Sequence, residues 1–334
     1  MAGYNTIRGL RVKYLSADPA GAEDGQVWYN STTGNLRVDG MVLPGSWAAG
    51  GNLGTARYEV TGTGTQTAGL AAAGYMSGIS PPAGYTGTEE YDGASWTAGG
   101  NLNTGRHEAG CCAGTQTATI IASGYVGGSN VTAAETYNGT SWTAVNSLNT
   151  ARRGTARGMG TQTAAVCIGG KAPAMTNAVE EYDGTNWTTV TAYPVAVGGQ
   201  SCSGTQTAGL VFGGSPGYIA TTNSYDGSSW TAVNSLNTGR SGMGSSNGPA
   251  GTQSAALAFG GSTGSTTALT ESWDGTNWAA QASLATARLV GAGMGSSTSA
   301  LFAGGAIPGT TPARSALTEE WTGPSTLTKN ITTS

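Results

Sequence analysis

Short apolar runs, each closed by glycine, recur along the chain at nearly constant intervals. "LVFGG" covers 210–214, "LAFGG" 257–261, "LFAGG" 301–305 and "VCIGG" 166–170, while the first two copies read "AAAGY" and "IASGY". Two further markers run in step with them. "GTQ" begins at Gly64, Gly114, Gly160, Gly204 and Gly251, with "GSS" at Gly295 as a degenerate sixth copy. Trp47, Trp96, Trp142, Trp187, Trp230 and Trp278 are 49, 46, 45, 43 and 48 residues apart. HEAT-type helical repeats match a period of about 46 residues, but glycine pairs, threonine runs and four strand-like stretches per unit predict a four-stranded sheet instead.

In the second unit the strands are expected over 106–113 (a), 117–123 (b), 133–137 (c) and 141–145 (d). Such sheets arranged radially make a β-propeller, which leaves only short, protected edges. The double glycine after strand b, a tyrosine-acid-glycine turn and a tryptophan shortly after that tyrosine resemble the kelch family. Arginines opening strand a, at Arg57, Arg106, Arg152, Arg240 and Arg288, also fit, and the fourth unit departs from the pattern with "TAYPVAVGGQ". The resemblance covers roughly residues 43–323 and speaks to architecture, since kelch propellers serve as enzymes, adaptors and adhesins alike.

The last unit, "EEWTG" at 319–323, has no strand-d tryptophan, whereas Trp47 precedes the first strand a. This predicts an all-β, six-bladed propeller whose last blade takes its strand d from residues near 45–49, the closure that the kelch resemblance implies. The hexapeptides "YDGASW" (91–96), "YNGTSW" (137–142), "YDGTNW" (182–187), "YDGSSW" (225–230) and "WDGTNW" (273–278) then become c–d turns, where Asp/Asn-Gly suits positive φ. "SYDGSSW" at 224–230 approaches the sialidase-type Asp box but lacks one residue between Asp and Gly, and Asp boxes are themselves structural.

Composition narrows the classes. Charged residues are 10% and the net charge is −4, which removes the basic field that nucleic-acid binding needs. Nine tryptophans and thirteen tyrosines at regular places argue against disorder. No stretch is long and apolar enough to span a bilayer, and "MAGYNTIRGLRVKYLS" lacks the apolar core of a secretory signal. Cys111, Cys112, Cys167 and Cys202 read as buried thiols, without the spacing of a metal site.

Candidate chemistry is sparse. His107 is the single histidine and is expected on strand a, lining the central channel. One histidine does not suffice for copper radical oxidases built on kelch propellers, and no nucleophile-elbow motif is present. Glu89, Glu90, Glu135, Glu180, Glu181, Glu271, Glu319 and Glu320 recur at one strand-c position, so they read as partners of the strand-a arginines or of backbone amides. The arginine ring reads as scaffold for the same reason. No catalytic residue, metal or cofactor is assigned, and the protein is expected not to be an enzyme. Recognition is expected on the variable b–c loops, where Tyr75, Tyr85, Tyr125 and Tyr218 can stack on sugars or anchor a protein, or pack their own loops.

Residues 1–42 do not repeat. "QVWYN", "STTG" and "NLRV" read as a hairpin, and "GQVWYNSTTGNLRV" is similar to a short module of bacteriophage tail-fibre and other virion structural proteins. The chain thus divides into an attachment module (1–42), the propeller (43–323) and a C-terminal tail (324–334). The expected role is a virion appendage or decoration protein, assembled in the host cytoplasm and oligomeric in the particle. Residues 1–42 would contact other virion proteins while the propeller meets a host-surface glycan or receptor. A purely structural capsid or tail decoration and a polysaccharide-acting enzyme are the alternatives.

Overall fold

The computed structural model describes residues 12–19, 26–76, 84–154, 158–245, 251–310 and 313–331. Two compact units are present, Ser46–Thr322 and a smaller one from the two ends of the chain, Met1–Gly45 with Gly323–Ser334. In the smaller unit Lys13–Leu15 pairs parallel with Val27–Asn30, which forms a hairpin with Asn35–Leu43. Trp28 is buried, and its indole Nε1 donates to Asp18 Oδ1 at 2.9 Å, beside a bond from Asn30 Nδ2 at 2.8 Å. Arg37 pairs with the same carboxylate. Within the segment set apart above as a tail (324–334), Ser325–Ile331 is a strand that pairs antiparallel with Asn35–Leu43. Thr326, Thr328 and Ile331 are β-branched residues that favour a strand, a weak signal in a segment without the repeat markers.

Among the described residues the larger unit contains six four-stranded antiparallel sheets, numbered one to six by their first strands, Thr61–Thr65, Cys111–Thr115, Met159–Thr161, Ser201–Thr205, Gly244–Ser245 and Ala292–Gly295. Sheet two illustrates the order: Cys111–Thr115 (a), Ala118–Ala122 (b), Ala134–Tyr137 (c) and Trp142–Val145 (d). Strand a begins five residues later than the sequence predicts, because Glu108 takes φ +50° and breaks the extended run. In sheet six the outermost strand is Ser46–Ala49, with Trp47 opposite Trp321. Each strand a touches the strand a of the next sheet, and Ala292–Gly295 touches Thr61–Thr65.

Repeated side chains join neighbouring sheets. Gln116 Nε2 donates to the carbonyls of Gly69 (3.1 Å) and Tyr91 (2.8 Å) in the preceding sheet, and Gln66, Gln162 and Gln253 repeat the contact. "GTQ" is therefore an a–b turn whose glutamine clamps the sheet before it. The c–d hexapeptide is an Asx turn: Asp183 Oδ1 accepts the amides of Thr185 (2.8 Å) and Asn186 (2.7 Å), and Gly184 supplies φ +93°. Those amides hold the Asp183 carboxyl below its usual range. Five arginines, Arg57, Arg106, Arg152, Arg240 and Arg288, are fully buried and pair with Glu89, Glu135, Glu180, Glu271 and Glu319 of strand c in the same sheet.

The tryptophans show one mismatch with a testable consequence. Each strand-d tryptophan packs on the aromatic residue ending strand c, as Trp187 does on Tyr182 with ring centroids 5.1 Å apart. Trp96, Trp142, Trp278 and Trp47 also donate Nε1 to Thr318, Thr88, Thr222 and Thr270 of the preceding sheet, at 3.0–3.1 Å. Trp187 meets Ala134 at that position, and its buried Nε1 has no partner. Ala134→Thr is expected to raise stability by about 1 kcal/mol, the net value of one buried hydrogen bond. Urea unfolding compared with Ala134→Val, which adds the same bulk without the hydroxyl, isolates the bond. An equal gain in both variants would assign the effect to packing.

Candidate functional site

The repeat breaks at one corner. Two residues after each strand-a arginine position, the six copies carry Glu59, Glu108, Gly154, Gly199, Gly242 and Val290, all in the left-handed region at φ +50° to +65°. Glycine adopts this conformation freely, while other residues are held there at a cost of about 1–3 kcal/mol. Backbone bonds link successive corners: Gly154 N to Glu108 O, Gly199 N to Gly154 O, Gly242 N to Gly199 O, and Val290 N to Gly242 O, at 2.8–2.9 Å. These corners surround a cavity of about 230 Å³ lined by Glu59, Glu108, Arg153, Lys171, Gln200 and Val290, among others. A second hollow of about 300 Å³ shares Arg153 and Lys171 and is lined by Tyr125 and Asn130.

The strand-a corner and the start of the b–c loop hold each other by isolated bridges, Tyr58 to Tyr75, His107 to Tyr125, Arg153 to Lys171 and Gly198 to Ser215. Of these loop residues, Lys171 and Ser215 line the cavity. His107 therefore precedes strand a and does not lie on it, contrary to the sequence reading, because the turn at Glu108 follows it directly. It is buried, with Nδ1 2.7 Å from Glu59 Oε2, its ring edge-on to Tyr75 and Tyr125 at 5.4 Å each, and Nε2 without a partner. Arg153 stacks its guanidinium 3.9 Å from the Tyr125 ring centre and puts Nε 3.4 Å from Glu108 Oε2.

Burial and the nearby Glu59 charge push the Glu108 carboxyl up, against the opposing pull of Arg153, His107 and Lys171. Glu59, His107 and Glu108 each bring a ligand-type atom within 4.8 Å of the others. Arg153 and Lys171 already balance the two carboxylates, so no cation site is assigned. The cavity is smaller than the roughly 300–1,000 Å³ that holds drug-sized ligands. Its acceptors (Glu59, Glu108) and donors (Arg153, Lys171) suit one compact, hydroxyl-rich unit.

Among the four tyrosines singled out from sequence, Tyr75 and Tyr125 flank His107, and Tyr125 also lines the second hollow. Tyr85 lies beside the Arg57 guanidinium, 5.2 Å away, and Tyr218 is 41% exposed on its own loop at φ +55°. Among the described residues neither makes a ring contact with the first pair. Sequence reasoning missed Glu59, Glu108, Arg153 and Lys171. The signal was available in the aligned copies, where two glutamates replace the glycine that three others use.

No protein-family model and no curated protein sequence matches this chain. Among solved structures, one titled "Structure of YjhT" superposes with a TM-score of 0.66 over 84% of this chain and 100% of its own, at 14% identity. The chain folds as a β-propeller. At that identity the likeness concerns architecture alone, and the four-stranded sheets are the frame on which the corner residues are mounted.

Proposed function

We propose that this protein is a kelch-type, six-bladed propeller displayed on a bacteriophage particle, where its corner cavity recognises a host-surface glycan. The single observation that carries the recognition is the break in the repeat. Glu59, Glu108, Arg153 and Lys171 converge on one cavity where the later copies place glycine, serine, alanine, leucine or valine. Scaffold residues repeat because every blade needs them; a polar cluster confined to neighbouring copies serves something outside the scaffold. The buried arginine–glutamate pairs, the glycine-closed b strands and the strand borrowed from residues 46–49 support the kelch reading. Attachment through the N-terminal unit rests on the likeness of "GQVWYNSTTGNLRV" to tail-fibre modules.

The test is an immobilised glycan panel probed with the full-length protein. Arg153→Ala is expected to weaken retention of the bound glycan about 10- to 100-fold, the cost of a charge-assisted hydrogen bond. Tyr125→Ala, which removes the face on which Arg153 rests, should act in the same direction. Tyr85→Ala, packed away from the cavity, should leave retention unchanged. A protein that retains no glycan would instead be the structural decoration.

A further inference from the structure

We propose that Glu59 and Glu108 act as a retaining glycoside-hydrolysing pair, so that the cavity cleaves the glycan it binds. This rests on the reading that the cavity takes a saccharide. Both carboxylates line the same cavity, and their side chains keep 23% and 31% exposure, open to a substrate. Their nearest oxygens lie within 4.8 Å. Retaining enzymes hold the two carboxyl groups about 5–5.5 Å apart, whereas inverting ones need about 6.5–9.5 Å to admit a water between them. The corner's backbone does not require a glutamate, since three sheets use glycine there, and both glutamates are held in left-handed backbone that glycine would adopt without strain.

The two environments differ in a way that assigns the roles. His107 Nδ1 lies 2.7 Å from Glu59 Oε2, a contact that holds the Glu59 carboxyl in place as the attacking group. Burial and the Glu59 charge push the Glu108 carboxyl up, against the pull of Arg153, His107 and Lys171, which suits Glu108 to the acid role. In the first step a Glu59 oxygen attacks the anomeric carbon as Glu108 gives its proton to the glycosidic oxygen. The C–O bond breaks, its electron pair stays on that oxygen, and the leaving sugar departs as an alcohol. In the second step the Glu108 carboxylate takes a proton from water, whose oxygen displaces Glu59 from the anomeric carbon. One water is consumed, the configuration is retained and Glu108 ends protonated.

The experiment treats the full-length protein with the 2-deoxy-2-fluoroglycosyl fluorides of glucose, galactose and mannose and weighs the intact chain. The expected result is one glycosyl adduct per chain on the peptide containing Glu59, absent from Glu59→Gln. Glu108→Gln should still form the adduct, since fluoride leaves with little acid assistance. It should release reducing ends from a bound oligosaccharide about 10²–10⁴-fold more slowly than the parent. Release by the parent should fall as pH rises through the Glu108 range, where the acid form is lost. No adduct with any of the three sugars, or an adduct that persists in Glu59→Gln, overturns the proposal. Retention of glycans on the panel without an adduct removes hydrolysis and leaves recognition standing; no retention and no adduct remove both.

Discussion

Replacing Arg240 with alanine is expected to destabilise the propeller by about 3–5 kcal/mol, the cost of stranding one member of a buried ion pair. Arg240 is fully buried, 2.5 Å from Glu271 Oε1, and also donates to the carbonyls of Ala258 (3.2 Å) and Thr238 (3.3 Å). Glu271 is 3% exposed and accepts the Asn237 amide at 2.8 Å, so truncating the arginine strands a buried carboxylate and removes a donor from two carbonyls. The shift in urea midpoint at unchanged slope measures the loss.

Sheet four solves the same problem without charge, which turns the first experiment into a sharper one. Where the other sheets carry Leu, Arg and Glu, it carries Tyr193, Val197 and Asn223, and Asn223 Nδ2 donates to the Tyr193 hydroxyl at 2.8 Å. Burial pushes that phenol up to about 12, so it stays neutral. Transplanting the set into sheet five, as Leu236→Tyr, Arg240→Val and Glu271→Asn together, is expected to recover stability to within about 1.5 kcal/mol of the parent. Neutral replacement of a whole buried pair is close to cost-free where removal of half is not. The Nε atoms of Arg57, Arg152, Arg240 and Arg288 are buried without partners, so the native pairs carry their own desolvation cost. A triple variant no better than Arg240→Ala would mean that the pair contributes more than its own satisfaction.

These comparisons show what the sequence displays and what it hides. Arg57, Glu89, Trp96 and the Asp92 turn were legible because each recurs at a fixed phase, and a role required by every sheet is written several times. Gln116 also recurs, but its partners Gly69 and Tyr91 lie on another sheet, and no local pattern reveals a bond between repeats. Glu59 and Glu108 were obscured by their setting: "RYE" and "RHE" read as the start of a strand until the left-handed corner is known. His107 was noticed for its rarity and placed on the wrong element for the same reason. The Ser325–Ile331 strand was missed because the repeat drew the domain boundary, while its pairing partner, Asn35–Leu43, lies nearly three hundred residues away.

Trp47→Ala is expected to loosen sheet six selectively and to cost about 3 kcal/mol, the lower end for removing a large aromatic, since Trp47 is only partly buried. Trp47 faces Trp321 at 5.5 Å, packs edge-on to Phe259 of sheet five at 5.0 Å, and donates Nε1 to Thr270. Ser46–Ala49 thereby covers Thr318–Thr322, including the fully buried Trp321, whose strand would otherwise be an open edge. In sheet two the equivalent Trp142 follows its partner strand through a tight turn, so Trp142→Ala lowers stability while the strand stays tethered beside its partner. Residues 46–49 have no such tether to 318–322, and re-forming that pair closes a loop running through every other sheet. Native-state hydrogen exchange separates the two cases. In Trp47→Ala the amides of 318–322 should exchange at least tenfold faster relative to the other sheets. In Trp142→Ala the amides of 134–137 should track global unfolding. Equal behaviour in the two variants would show that the borrowed strand is held by contacts other than Trp47 and its pairing with Trp321.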